Sequence, residues 1–121
     1  MEKTKIACLS KRKVIKRNDQ FELILRRYPT SHLAVGVNSP QEVALAEQLL
    51  ALKETAPDLF IECVLAYETV ANDWDEPLRD RFFIVMERCD KETMLQTQFT
   101  ADSLNKMEEY LKKDADIIFI F

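Results

Sequence analysis

The stretch from Leu59 to Ala66 reads LFIECVLA, an almost unbroken run of apolar, strand-forming residues. A strand with one face in water alternates apolar and polar residues, whereas a strand covered on both faces is apolar nearly throughout. The last run of the chain, Ile117 to Phe121 (IIFIF), has the same character. We therefore expect both runs to be strands covered on both faces, with residues 59–66 at a central position in a sheet.

Shorter apolar runs and helical patterns surround these two strands. Residues 6–9 (IACL) and 32–35 (HLAV) read as strands, and residues 91–97 fit either a strand or a loop. Apolar residues recur at helical spacing in four intervening segments. The helices are expected to begin at Asn18 or Asp19, at Ser39-Pro40, at Asp75-Glu76-Pro77, and at Thr100 or Asp102. Five strands alternating with four helices predict an α/β, Rossmann-like three-layer sandwich, with a mainly parallel five-stranded sheet and helices on both faces.

Length and composition exclude several classes of function. The 121 residues are expected to form one domain, 1–121, and an ending inside an apolar strand is compatible with a missing short C-terminal tail. A single glycine excludes Walker-type and GxGxxG phosphate loops, which need several. One histidine and three separated cysteines leave too few ligands for a metal site, and no cofactor is expected. Without a long apolar run or a signal-peptide core, the sequence favours a cytoplasmic protein with no membrane partner.

The net charge of −4 hides a marked asymmetry. Residues 1–30 carry nine Lys and Arg against three acids, whereas residues 31–121 carry eight against eighteen. The acidic remainder of the chain repels a phosphate backbone, so nucleic acid is not an expected partner. The segment Ser10–Arg17 holds five cations in eight residues. It suits an anionic ligand, and it equally fits a solvated basic loop.

In a parallel α/β sheet, ligands bind beyond the carboxyl ends of the strands. Three connections should meet there: residues 10–18, 36–42 and 67–76. The side chains and backbone expected to form a ligand site are Lys11, Arg12, Gly36, Ser39, Tyr67, Glu68 and Trp74. The cations would neutralise phosphate, the amides after Gly36 would donate hydrogen bonds, and the aromatic rings would flank a base. Ordinary helix capping by Ser39 and burial of Trp74 against the next helix are the alternatives.

A catalytic constellation is hard to assemble from this sequence, and no catalytic residue is assigned. His32 is expected at the start of a strand, at the edge opposite the ligand crevice, where a structural role is favoured. Glu68 or Asp73 would be the acid or base of an N-glycosidic hydrolase, which is the least favoured function. Acidic residues around position 75 are also what the start of a helix prefers.

Residues 66–121 resemble the YpsA-type (DUF1273) branch of the SLOG superfamily, a group of Rossmann-like domains. The motifs that carry the resemblance occur in family order and spacing: Tyr67-Glu68, Trp74, Arg81-Phe82, Cys89-Asp90, Phe99-Thr100 and Asp116. In the first half, Arg12 falls on the family's TG-x-R-like turn, and Gly36 to Glu47 falls on its second glycine-rich segment. The resemblance implies a Rossmann-like sheet and an ancestral pocket for a nucleotide-derived ligand.

The chain departs from the family pattern mostly in its binding loops. The departures are Ser10, Val37 and Pro40 in place of glycines, Glu42 in place of aspartate, Val70 in place of glutamine, and Met107-Glu108 in place of Arg-Asn. The phosphoribohydrolase signature PGGxGTxxE of the related LOG proteins is absent from the sequence. We therefore expect a non-enzymatic domain that binds a nucleotide-derived anionic ligand, or that descends from such a binder. The alternative is a protein–protein interaction or homo-oligomerisation module, using an edge strand or the helix over residues 39–56.

Overall fold

The computed structural model describes residues 3–11 and 19–121. The nine elements in these ranges follow the alternation that the sequence predicts. They are β1 (Lys5–Leu9), α1 (Asp19–Arg27), β2 (His32–Gly36), α2 (Pro40–Leu52), β3 (Phe60–Leu65), α3 (Glu76–Arg88), β4 (Lys91–Met94), α4 (Ser103–Lys112) and β5 (Ile117–Ile120). The segment left open as strand or loop contains β4. Asn18, one expected cap of the first helix, lies outside the described residues.

The five strands form one parallel sheet in the order β4-β3-β2-β1-β5. The chain moves in one direction from β1 to β4 and then crosses back to place β5 beside β1. Right-handed crossovers put the helices of the outward path on one face and the returning helix on the other. Accordingly α1, α2 and α3 pack on one face, and α4 packs across β1, β2 and β3 on the opposite face. The fold is the predicted Rossmann-like three-layer sandwich.

The two faces of the sheet have cores of unequal size. On the side of the three helices, Ile6, Cys8, Leu33 and Val35 contact buried residues of α1, α2 and α3. On the side of α4, the core is a small cluster: Ala7, Leu9, Ala34, Val64, Ala66, Met107 and Leu111. The small residues on this face let one short helix approach the sheet closely.

One expectation about burial is wrong. Residues 117–121 were expected to be covered on both faces, but β5 is an edge strand, and on the α4 side Ile118 and Ile120 are 46% and 47% exposed. The reason is that a single ten-residue helix spans only the middle of the sheet on that face. On the other face Phe119 and Phe121 are buried, and Phe121 stacks on Phe21 with ring centroids 4.8 Å apart.

Several of the motif residues named above hold the elements together. The Arg81 guanidinium donates to the Glu47 carboxylate, with Nε 3.1 Å from Oε2, and so links α3 to α2. Asp90 accepts from the backbone N–H of Ile61 at 2.8 Å and from Lys53 Nζ at 2.7 Å. Asp116 accepts from the Lys5 N–H at 2.9 Å. In this chain these side chains are bonded within the fold.

None of the helices in the described ranges has the length and apolar character needed to cross a bilayer.

Candidate functional site

The loops after β2 and β3 meet at the carboxyl edge of the sheet, where the sequence places a ligand. Asn38 joins them: its amide Nδ2 donates to the Val64 carbonyl at 3.1 Å, and its Oδ1 accepts from the Ala66 N–H at 2.7 Å. The backbone N–H of Val37 also donates to the Val64 carbonyl at 3.2 Å. These bonds fix the position of the loop that leads into α2.

A pocket of about 260 Å³ lies beside this loop, and we refer to it as the carboxyl-edge pocket. Its lining combines polar groups of the β1 and β2 loops with one side of α4. The lining residues are Leu9, Ser10, Lys11, Asn38, Ser39, Glu42, Leu104, Asn105, Met107, Glu108 and Leu111. The structure therefore brings two predicted site residues, Lys11 and Ser39, to one cavity, together with a wall of apolar side chains from α4.

The amino terminus of α2 holds a carboxylate of the chain itself. Ser39 is the N-cap, and its Oγ accepts from the backbone N–H of Glu42 at 3.2 Å. In return, Glu42 Oε1 accepts from the Asn38 N–H at 3.0 Å and from the Ser39 hydroxyl at 3.3 Å. This is a variant of the capping box, in which a side chain at the third helical position reaches back to the cap. The Asn38 amide, the Ser39 hydroxyl and the helix dipole, which would attract a phosphate here, hold Glu42 instead.

Gly36 provides the space that this carboxylate occupies. A Cβ built on Gly36 would come within 2.8 Å of Met107 Sδ and would overlap Glu42 Oε2. No glycine in the described ranges has a positive φ, so the residue is needed here for space and not for an unusual backbone conformation. The only glycine of the chain thus lies beneath Glu42, beside the pocket that Lys11 and Ser39 line.

The charged groups described at the pocket interact with one another or with neighbouring polar groups. Lys11 Nζ lies 2.8 Å from Glu108 Oε1, an ion pair that lowers the pKa of Glu108. Burial raises the pKa of Glu42 and outweighs the opposing hydrogen bonds from Asn38 and Ser39. Ser10 Oγ is buried and has no hydrogen-bond partner within the described ranges. Residues 3–11 and 19–121 therefore give the pocket one cation, two carboxyl groups and one unpaired hydroxyl.

Three other predicted site residues, Tyr67, Glu68 and Trp74, do not line this pocket. Tyr67 packs edge-on against Phe99, with centroids 5.2 Å apart, and Glu68 is exposed to solvent. Trp74 packs edge-on against Phe82 at 5.5 Å, which is the loop-to-helix contact given above as its alternative role. Arg12 lies outside the described residues.

A second polar cluster lies at the opposite, amino edge of the sheet. Glu62 is 1% exposed, on the α4 face of β3. Its Oε1 accepts from His32 Nε2 at 2.8 Å, and its Oε2 accepts from Thr93 Oγ1 and Tyr110 OH, both at 2.6 Å. Burial alone would raise the pKa of Glu62, but the three hydrogen bonds prevail and lower it to about 2. His32 is at the start of β2, as predicted, but the sequence did not reveal its partner.

The Glu62 network lies beside a cavity of about 590 Å³, which we call the amino-edge pocket. Its lining residues are Lys3, Lys5, His32, Phe60, Lys91, Asp114 and Asp116. A glutamate inside the apolar run 59–66 was the one sequence signal for this site, because a buried carboxylate requires partners. Among the described residues, no group of three or more His, Cys, Asp or Glu side chains is arranged to hold a metal ion.

In comparisons with known proteins, no family model and no curated sequence matches this chain. The resemblance to the SLOG superfamily therefore stays a prediction from the motifs. The fold and the two pockets carry the functional argument.

Proposed function

We propose that this chain is a non-enzymatic, SLOG-like domain that binds a nucleotide-derived anionic ligand in the carboxyl-edge pocket, in competition with its own Glu42 carboxylate. The observation that supports this most is the carboxylate of Glu42 on the amino terminus of α2, where it accepts from Asn38 and Ser39. An internal anion is held at the point where nucleotide phosphates bind in related architectures. Lys11 is the second group that suits an anion.

The rest of the pocket suits the less polar part of such a ligand. Leu104, Met107 and Leu111 supply an apolar wall from α4, and the unpaired Ser10 hydroxyl supplies a hydrogen-bond donor or acceptor. Ligand pockets commonly have volumes of about 300 to about 1,000 Å³. The carboxyl-edge pocket, at about 260 Å³, is smaller, and so it favours a ribose phosphate or a mononucleotide over a dinucleotide.

The same lining argues against catalysis. A nucleophile needs a base within hydrogen-bond reach. No histidine or cysteine is among the residues that line the pocket in the described ranges. Ser10 has no hydrogen-bonded base there. We therefore propose binding without bond cleavage.

A thermal-shift screen of nucleoside monophosphates at millimolar concentration tests this function. We expect a ligand to raise the melting temperature of the native protein, and Lys11→Glu to abolish the rise, because the substitution replaces the pocket's cation with a third carboxylate. Lys106→Glu makes the same change of charge at an exposed position of α4 outside the pocket lining, and should retain the shift. An undiminished shift in Lys11→Glu would place the ligand elsewhere.

Self-association is a second candidate function, which the exposed β5 strand favours. Ile118 and Ile120 are about half exposed on a strand that has no neighbour on its outer side among the described residues. The other edge strand, β4, carries Lys91 and Glu92, and such charges discourage pairing between edges. If two copies pair through β5, sedimentation should give twice 14.1 kDa, and Ile118→Lys should give the monomer mass. A native protein that sediments as a monomer at high concentration would exclude this candidate.

A further inference from the structure

We propose that the amino-edge pocket is a second ligand site, distinct from the carboxyl-edge pocket, and that it takes a hydroxylated phosphomonoester such as a sugar phosphate. The proposal starts from a row of lining residues at the amino ends of β1, β2 and β3, which we call the floor. Lys5 is in register with His32, and His32 with Phe60. Asp116, just before β5, joins the row: its N–H donates to the Lys5 carbonyl at 2.8 Å, and its Oδ2 accepts from the Lys5 N–H at 2.9 Å.

This row is uncovered because α4 ends at Lys112, before it reaches the amino ends of the strands. Lys5 Nζ marks the boundary: it donates to the Lys113 carbonyl at 3.3 Å and lies 5.4 Å from the centroid of the Tyr110 ring. A cation at the carboxyl end of a helix is favourable, so Lys5 is held between the helix and the open floor. The resulting cavity of about 590 Å³ is within the size range of small-molecule sites.

The charges of the pocket are divided between its two ends. At the β3–β4 end, Lys91 begins the edge strand, and Lys3 Nζ lies 5.8 Å from the centroid of the Phe60 ring. Lys3 Nζ donates to the Asp58 carbonyl at 2.8 Å, and its charge contributes to the lowered pKa of Asp90. Within the described ranges, neither lysine forms an ion pair. At the β5 end, Asp114 and Asp116 line the pocket. Two lysines that form no ion pair favour a doubly charged anion, whereas two carboxylates favour hydroxyl donors.

Between these two ends, the rings of His32 and Phe60 provide a surface against which the carbon skeleton of the ligand packs. His32 and Phe60 contact each other edge-on, with centroids 4.8 Å apart, and both line the cavity. The bond from Nε2 to the buried carboxylate of Glu62 holds the imidazole in place. Nδ1 has no partner among the described residues, so it is left to bond a ligand. A carboxylate that accepts from one ring nitrogen in this way fixes the orientation of the imidazole, and the other ring nitrogen can then bond a ligand.

The arrangement discriminates between classes of anion. A dicarboxylate would place its second charge against Asp114 and Asp116, and a nucleic acid backbone would meet the same repulsion. A sugar phosphate places its single charged group by the lysines and its hydroxyls by the aspartates. The two ends of the pocket thus match the two ends of this ligand.

Because His32 is the only histidine of the chain, its imidazole gives a single Hε1 signal in proton NMR, which reports on this pocket directly. We expect ribose 5-phosphate to shift that signal at lower concentration than inorganic phosphate, and ribose alone to leave it unchanged. Lys91→Glu should weaken the binding of ribose 5-phosphate at least about tenfold. Lys106→Glu, with the same change of charge on the far part of α4, should leave it unchanged.

Lys91 is in register with the buried Glu62, so a second variant at the same end of the pocket is needed as a check on Lys91→Glu. Lys3→Glu changes an exposed residue there and should weaken binding similarly. Lys11→Glu should leave the His32 response intact, which separates this site from the carboxyl-edge pocket. An unmoved His32 signal with ribose 5-phosphate would overturn the proposal. Equal responses in the native protein and in both variants at the lysine end would also overturn it.

Discussion

Acidification from about pH 4.5 to about pH 2 is expected to remove about 3 kcal/mol of the free energy of unfolding through Glu62 alone. In the folded protein, hydrogen bonds from His32, Thr93 and Tyr110 overcome the effect of burial and lower the pKa of Glu62 from 4.5 to about 2. A group whose folded pKa is lowered stabilises the fold above its unfolded pKa, and this stabilisation is lost as the pH falls through the folded value. Each unit of difference is worth about 1.4 kcal/mol.

Urea unfolding at several pH values measures this effect, with Glu62→Gln as the matched variant. The amide has the same shape but only one acceptor oxygen. If that oxygen accepts from the Thr93 and Tyr110 hydroxyls, the NH₂ group meets His32 Nε2, which then has to change tautomer to accept from it. We expect Glu62→Gln to be destabilised by about 2 to about 4 kcal/mol near neutral pH, because the charged acceptor of three hydrogen bonds is lost. The variant should also lose most of the pH dependence below 4.5. If the free energy of unfolding falls equally with pH in the native protein and in the variant, Glu62 does not have a lowered pKa.

Glu42→Gln is expected to strengthen the binding of a nucleoside monophosphate at the carboxyl-edge pocket by about tenfold to about a hundredfold near neutral pH. Glutamine keeps the oxygen that accepts from Asn38 and Ser39, so the start of α2 is retained. The change removes a negative charge from the place where the phosphate would bind, which is worth about 1.4 to about 2.8 kcal/mol in a partly buried site. Calorimetric titration of both proteins measures the difference.

Glu47→Gln is the matched control for this prediction. Glu47 is on the same helix and is paired with Arg81, away from the pocket. Glu47→Gln makes the same change of charge as Glu42→Gln and should leave the affinity for the nucleoside monophosphate unchanged. Equal gains in Glu42→Gln and Glu47→Gln would indicate a general effect of net charge.

The architecture was predictable because its signals are local. The run at residues 59–66 contains β3, an interior strand between β4 and β2, and Ser39-Pro40 marks the start of α2 at the residue where the helix begins. Burial of β5 was not predictable in the same way. An apolar strand carries no information about whether a helix covers it, and the path of α4 across β1 to β3 leaves Ile118 and Ile120 exposed.

The candidate sites depend on contacts between distant parts of the chain, and most of these were not predictable. Lys11 was assigned to an anion, but the sequence does not show that α4 places Glu108 beside it. Gly36 was assigned to a phosphate loop, whereas its lack of a Cβ makes room for the carboxylate of Glu42. The partners of Glu62 come from β2, β4 and α4, which only the folded sheet brings together.

The central claim is that Glu42 and an anionic ligand compete for the amino terminus of α2, and the pH dependence of binding tests it most directly. Burial raises the pKa of Glu42 above its ordinary value of 4.5, so lowering the pH neutralises this group and should favour the anion. The measurement is the ratio of the nucleoside monophosphate Kd values of the native protein and Glu42→Gln from pH 7.5 to pH 4.5, in which the titration of the ligand itself cancels. We predict that the native protein binds more weakly at pH 7.5 and that the ratio approaches one as the pH falls. A ratio that stays constant across this range would contradict the account.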